Sequence, residues 1–106
     1  MSTSIVVTYS VKPEALDEHL RLIAAVFAEL DRLALATVEY EVLRLQDGVS
    51  FVHVSTSTSA DGTTPLPGLP AFQEFSRDLP SRVATPPSPS PASIVGVHRP
   101  APPDGT

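Results

Sequence analysis

Six periodic segments follow one another as strand, helix, strand, strand, helix, strand within the first 99 of the 106 residues. This order narrows the possible folds more than any single motif does. It predicts a two-layer α+β domain built from a split βαβ unit used twice. No catalytic or ligand-binding signature accompanies the pattern, so function has to be argued from individual residues.

Ser4 to Ser10 is rich in β-branched residues and places Ile5, Val7 and Tyr9 on one face, Val6 and Thr8 on the other, as a central strand would. Pro13 suits a first helical turn, and Glu14, Asp17 and Glu18 suit a helix N-terminus. Leu16, Leu20, Ile23, Phe27, Leu30 and Ala34 then recur at alternating spacings of four and three, the packing stripe of a helix lying on a sheet. Asp17 and Arg21 are spaced to pair on its far side.

Val38 to Leu45 alternates Val38, Tyr40 and Val42 against Glu39, Glu41 and Leu43, which reads as a half-exposed edge strand. Gln46-Asp47-Gly48 turns the chain into a second arm, Ser50 to Ser57, with Phe51, His53 and Ser55 sharing a face. A polar loop from Ser57 to Gly68 precedes a short helix opened by Pro70, in which Phe72, Phe75 and Leu79 share a face before Pro80. Thr85 to Pro91 is expected to cross back in polyproline geometry, and Ala92 to Arg99 to form the last strand. On this reading residues 1–99 are one domain and 100–106 a loose tail.

Composition removes several function classes. The formal net charge of −5 comes from 12 acidic and 7 basic residues with no basic run, so nucleic acid is not an expected partner. Cysteine is absent, which excludes disulfides and thiol chemistry. No apolar run approaches the roughly 18 residues that span a bilayer, and no secretion signal is visible. A cytoplasmic protein without membrane contact is expected. At this length folding buries about two thirds of the unfolded surface, and so thin a core favours self-association into a homodimer.

Three histidines are the residues most able to move a proton near neutral pH: His19, His53 and His98, on three different elements. His53 and Ser55 share a face with Phe51 and can line a cavity and donate to a ligand oxygen; a hydrogen-bonded core histidine is the alternative. His98 completes no close metal-ligand spacing with His53, and no metal is expected. His19, between Glu18 and Arg21 territory at the edge of the stripe, reads as a solvated flank. Tyr9 and Tyr40 suit either an aromatic ligand pocket or packing. Glu39 and Glu41 project from one face of an edge strand and read as a solvated surface that discourages aggregation. Tyr9, Tyr40, His53, Ser55 and His98 are therefore the candidate ligand-binding residues, with no catalytic set.

The opening strand, the proline-started helix, the hairpin Val38 to Thr56 with Tyr40-Glu41-Val42-Leu43-Arg44, the Phe72-Gln73-Glu74-Phe75 helix and the closing Ile94 to Arg99 together resemble the dimeric α+β barrel superfamily. The resemblance is to its antibiotic-biosynthesis-monooxygenase-like members and covers about residues 4–99. It implies a ferredoxin-like βαββαβ sandwich whose sheet faces that of a second subunit, a dimeric α+β barrel with a cavity between sheet and helices. Some relatives are cofactor-independent monooxygenases on quinone-forming aromatic substrates, others degrade haem, and many have no assigned activity. The active ones rely on Asn, Trp and a helix-borne His. This chain contains no Asn and no Trp, and its second helix carries no His, so no catalytic set transfers. The expected function is a homodimer, without cofactor, whose small apolar cavity binds or acts on a small aromatic or apolar metabolite. A cofactor-independent monooxygenase and a non-catalytic structural or interaction protein are the alternatives.

Overall fold

The computed structural model describes residues 3–59 and 64–98. Strands β1 (Thr3–Val11), β2 (Val38–Arg44), β3 (Ser50–Ser57) and β4 (Val83–Ala92) form one sheet in the order β2-β3-β1-β4. Every neighbouring pair is antiparallel. Helix α1 (Leu16–Leu33), entered through a 3-10 turn at Pro13–Ala15, joins β1 to β2. Helix α2 (Pro70–Arg77) and the single turn α3 (Leu79–Arg82) join β3 to β4. This is the α+β ferredoxin-like βαββαβ arrangement, with both crossovers helical and β1, β2 and β3 where the periodicity predicts them.

Local chemistry explains the connections. Between β2 and β3 the Asp47 carboxylate accepts from the backbone N–H of Val49 and Ser50 and from the Ser50 hydroxyl, while Gly48 takes φ +82°. An aspartate that satisfies two loop donors and a glycine free of Cβ clash make this turn tight. On α1, Arg21 forms a bidentate pair with Glu18 at 2.8 and 2.6 Å, not the pair with Asp17 that spacing alone suggests. Helix α2 is tied to α1 by Glu29, whose carboxylate accepts from the Ala71 N–H at 2.9 Å, an anion at a helix N-terminus.

The last strand is displaced from its expected place. Thr85 to Pro91, expected as a polyproline connector, is the body of β4, and Ile94 to His98, expected as the last strand, is unpaired. Pro89 and Pro91 stand opposite Val7 and Ile5, while Ser88 and Ser90 stand opposite Thr8 and Val6. Proline has no N–H to give, and an edge strand needs only every second N–H for its one neighbour. The prolines therefore occupy the outward-facing positions and the serines make the ladder. Polyproline dihedrals lie within the extended region, so nothing else has to change. Pro86 and Pro87 together face Tyr9, where the register shifts and the strand bulges. Arg99 and the expected tail 100–106 lie outside the described residues.

A free edge lined by prolines offers no donors to another chain. Replacing Pro87, Pro89 and Pro91 together by Val is expected to yield soluble oligomers and precipitate, measured by light scattering after size-exclusion chromatography. A profile identical to the parent protein would contradict this role of the prolines.

The core lies between sheet and helices: Tyr9, Val11, Leu22, Val26, Phe51 and Phe75 are buried in one cluster. Residues of the anticipated stripe, Leu16, Leu20, Ile23 and Leu30, pack around it half-buried. The centre of the α1 face is instead His19, Leu22 and Val26.

Candidate functional site

Period-two alternation places Ile5, Val7 and Tyr9 of β1, Phe51, His53 and Ser55 of β3, and Tyr40 and Val42 of β2 on the helix-facing side of the sheet. The register then sets Ile5, Ser55 and Tyr40 in one row, Val7, His53 and Val42 in the next, and Tyr9 beside Phe51 in a third. His53 thus lies diagonally between two tyrosines on its two neighbouring strands, at a separation that long side chains span.

They meet there. The Tyr9 hydroxyl is 2.5 Å from His53 Nε2, and the Tyr40 hydroxyl is 2.6 Å from His53 Nδ1. From the helical layer His19 brings Nε2 to 2.6 Å from the same Tyr9 hydroxyl. Arg82, at the end of α3, donates from Nε to His19 Nδ1 at 3.1 Å and from a terminal nitrogen to the Phe75 carbonyl at 2.5 Å. Five titratable side chains from five elements therefore form one unbroken chain, Arg82, His19, Tyr9, His53, Tyr40.

The chain runs through apolar surroundings. His19 is fully buried and Arg82 is only 5% exposed. His19 sits edge-on to Tyr9 and against Phe51, and the Arg82 guanidinium lies 5.3 Å from the centre of the Phe75 ring. Among the described residues the ion pairs are Glu18 with Arg21, Glu29 with Arg32 and Glu74 with Arg77, so Arg82 has no carboxylate at ion-pair distance. A buried cation is tolerable only when its donors are satisfied and charge-dipole contacts replace water.

Burial decides the protonation states. It pushes His53 down to about 4, and burial together with the nearby Arg82 charge and His53 pushes His19 down to about 4, so both imidazoles are neutral at pH 7. Burial raises both tyrosine hydroxyls above their usual value, Tyr9 further through Tyr40, and both stay protonated. Arg82 is drawn below its usual value by desolvation but remains charged, as arginine does in proteins.

A cavity of about 150 Å³ opens beside this chain. Ile5, Val7, Leu66, Phe72, Phe75 and Leu79 form its apolar wall, Tyr9, Tyr40, His53 and Ser55 supply polar groups from the sheet, and Ser76 adds one from α2. A cavity of this volume with apolar walls holds a single benzene-sized ring. A larger groove of about 620 Å³ lies on the opposite face of the sheet, between Glu39, Glu41, Val54, Thr56 and the stretch from Ile94 to Val97. Of the buried hydrogen-bond chain only Tyr40 borders this groove, whereas Tyr9, Tyr40 and His53 all line the smaller cavity, which is therefore the candidate site.

Of the residues singled out from sequence, Tyr9, Tyr40, His53 and Ser55 line that cavity, whereas His98 is exposed on the unpaired stretch after β4 and does not. His19, expected as a solvated flank, is buried at the centre of the chain. Its spacing of three before Leu22 and seven before Val26 was the available signal, obscured because a stripe counted only in aliphatic and aromatic residues leaves a histidine out. Arg82 carries no such signal: it follows a proline helix turn and precedes a strand. Among the described residues no group of three His, Cys, Asp or Glu side chains is placed to hold a metal. No described helix is long and apolar enough to cross a membrane.

No protein-family model matches the chain, and no curated protein sequence does. Solved structures do. Rv0793 from Mycobacterium tuberculosis superposes with a TM-score of 0.75 at 13% identity, covering 93% of this chain and 100% of that one. A candidate antibiotic biosynthesis monooxygenase from Bacteroides thetaiotaomicron gives 0.78 at 12% identity, with 92% and 95% covered. A variant of SnoaB, a cofactor-independent oxygenase from Streptomyces nogalater, gives 0.67 at 17% identity, with 91% and 95% covered. At these identities the likeness is one of fold: the chain has the ferredoxin-like fold of antibiotic-biosynthesis-monooxygenase-like structures.

Proposed function

We propose that the protein is a homodimer that binds a small, single-ring apolar or aromatic metabolite in the cavity between its sheet and α2. The observation that carries this is a ring-sized space with largely apolar walls onto which Tyr40, His53 and Ser55 converge. Ligand sites combine such apolar walls with a few placed polar groups. Shared fold with proteins described as antibiotic biosynthesis monooxygenases is in keeping with a small-molecule site.

Toluene, titrated into labelled protein, is expected to shift the NMR resonances of Val7, Phe72 and Phe75. Val7→Phe, which fills the space, is expected to abolish those shifts while leaving the fold intact by circular dichroism. Absence of saturable shifts with toluene and benzene would overturn the binding role.

Self-association is supported by the outer face of the sheet. Val6, Val52 and Val54 lie there only half-buried, Leu43 is 46% exposed, and Ile94, Val95 and Val97 add 53%, 101% and 62%. A contiguous apolar patch of this kind marks an interface. Sedimentation at micromolar concentration is expected to give a dimer, and a monomer throughout would remove that part of the proposal.

The second function is catalysis: a cofactor-independent monooxygenase on a quinone-forming aromatic substrate. The favouring observation is that the cavity's polar lining is continuous with a chain of titratable groups, and SnoaB, which shares the fold, is a cofactor-independent oxygenase. It requires oxygen consumption with hydroquinone-like substrates that falls sharply in His53→Ala. No consumption across such a panel leaves binding alone.

A further inference from the structure

We propose that Arg82 sets the direction of the buried hydrogen-bond chain, so that the cavity presents a donor in its polar lining, the Tyr40 hydroxyl, and selects ring compounds carrying an acceptor oxygen. The inference deepens the ring-binding function and rests on it for the ligand class, but not for the chain itself.

Arginine has five N–H donors and no acceptor. Its Nε–H points at His19 Nδ1, so that nitrogen must be bare and the single proton of a neutral imidazole must sit on Nε2. His19 Nε2–H then donates to the Tyr9 oxygen. Tyr9, which has one proton, gives it to His53 Nε2. That nitrogen is therefore bare, the His53 proton sits on Nδ1, and it is donated to the Tyr40 oxygen. Tyr40 is left with its own hydroxyl proton and lines the cavity.

The opposite polarity fails at one place only. It would aim a His19 Nδ1–H at the Arg82 Nε–H, donor against donor, across a gap of 3.1 Å that is too short for a bridging water. Every other link is indifferent to direction, since hydroxyls and neutral imidazoles both give and accept. Arg82 thus dictates the tautomer of a histidine three hydrogen bonds away, and the choice is fixed because both imidazoles are neutral.

A donor end accepts a carbonyl oxygen, or an anionic oxygen, which the unpaired Arg82 charge favours further along the chain. Ligands that can only donate are disfavoured, because they leave the Tyr40 proton without an acceptor. Arg82 is a positioning residue on this account: it does not line the cavity, yet it decides what the cavity recognises.

Two measurements test this. Long-range proton–nitrogen NMR on uniformly labelled, ligand-free protein at pH 7.5 is expected to show His19 protonated on Nε2 and His53 on Nδ1. A His53 protonated on Nε2 would overturn the inference whatever binds in the cavity. In Arg82→Met, whose side chain retains the volume, His53 is expected to become a mixture of tautomers; an unchanged Nδ1–H tautomer would show that Arg82 does not set it.

The ligand arm compares cyclohexanone with methylenecyclohexane, which replaces the carbonyl oxygen by a CH2 group. Tyr40→Phe is expected to weaken cyclohexanone about tenfold and to leave methylenecyclohexane within about twofold. This variant keeps the ring and serves even if Arg82→Met does not fold. Equal losses for both probes would refute the acceptor selection while leaving ring binding standing. Failure of both probes to bind the parent protein would instead refute ring binding, with the tautomer measurement still deciding the role of Arg82.

Discussion

Tyr9→Phe is expected to be among the most destabilising single-atom deletions in this protein. Its hydroxyl serves two buried histidines at once, at 2.6 Å from His19 and 2.5 Å from His53. Removing it leaves one nitrogen of each imidazole without a partner, in places that are 0% and 7% exposed. Each unsatisfied buried group costs about 1–3 kcal/mol, so a loss of about 2–5 kcal/mol is expected in the unfolding free energy from urea titration. Tyr40→Phe, which strands only one group at a half-buried position, is expected to cost about 1 kcal/mol. A Tyr9→Phe midpoint equal to that of the parent protein would show that the Tyr9 hydroxyl is not the junction of the chain.

Stability is also expected to fall steeply in mild acid. Free histidine titrates near 6.5, whereas His19 and His53 in the folded protein are pushed down to about 4, chiefly by burial. As pH drops below 6.5 the unfolded chain binds protons that the folded chain refuses, so the equilibrium moves toward unfolding. The contribution of the neutral imidazoles is therefore fully present above about pH 6.5 and is lost as pH falls toward 4. The groups that face them, Arg82, Tyr9 and Tyr40, do not change charge in that window. With each pKa unit worth about 1.4 kcal/mol, the two histidines together withdraw on the order of 5 kcal/mol, much of the stability of a small domain. Glu18, held below its usual value by its hydrogen bond to Arg21, and Asp47, held down by Ser50, are exposed and do not face the imidazoles. The urea midpoint is expected to be constant from pH 8 to 7 and to decline between 6.5 and 4.5. A flat profile over that interval would mean that the imidazoles take up protons in the folded state.

Much of this architecture is legible in the residues, for physical reasons that also explain the failures. The order of elements follows from periodicity, because Ile5, Val7 and Tyr9 or Phe51, His53 and Ser55 can share a face only in a strand. The same alternation brings Tyr9, Tyr40, His53 and Ser55 to the cavity side. The prolines of β4 are misleading because proline is read as forbidding a strand, whereas on an edge it forbids only the inward N–H positions, and here it occupies the outward ones. Ile94 to Val97 has the composition of a strand, but β1 already has two neighbours, β3 and β4, and no vacant edge beside it remains. His19 and Arg82 are hidden for a different reason. A polar residue is buried only where several partners converge, and His19 meets its partners across separations of 10 residues to Tyr9 and 63 to Arg82. No local pattern reports that convergence.

A ring-sized cavity with Tyr40 among its polar lining is the central claim, and a crystal structure of the protein grown with cyclohexanone tests it most directly. The expected result is ring density enclosed by Val7, Phe72 and Phe75, with the ketone oxygen within hydrogen-bond distance of the Tyr40 hydroxyl. A cavity closed by the side chains of Phe72 and Phe75, with cyclohexanone absent or bound only on the outer face of the sheet, would contradict it.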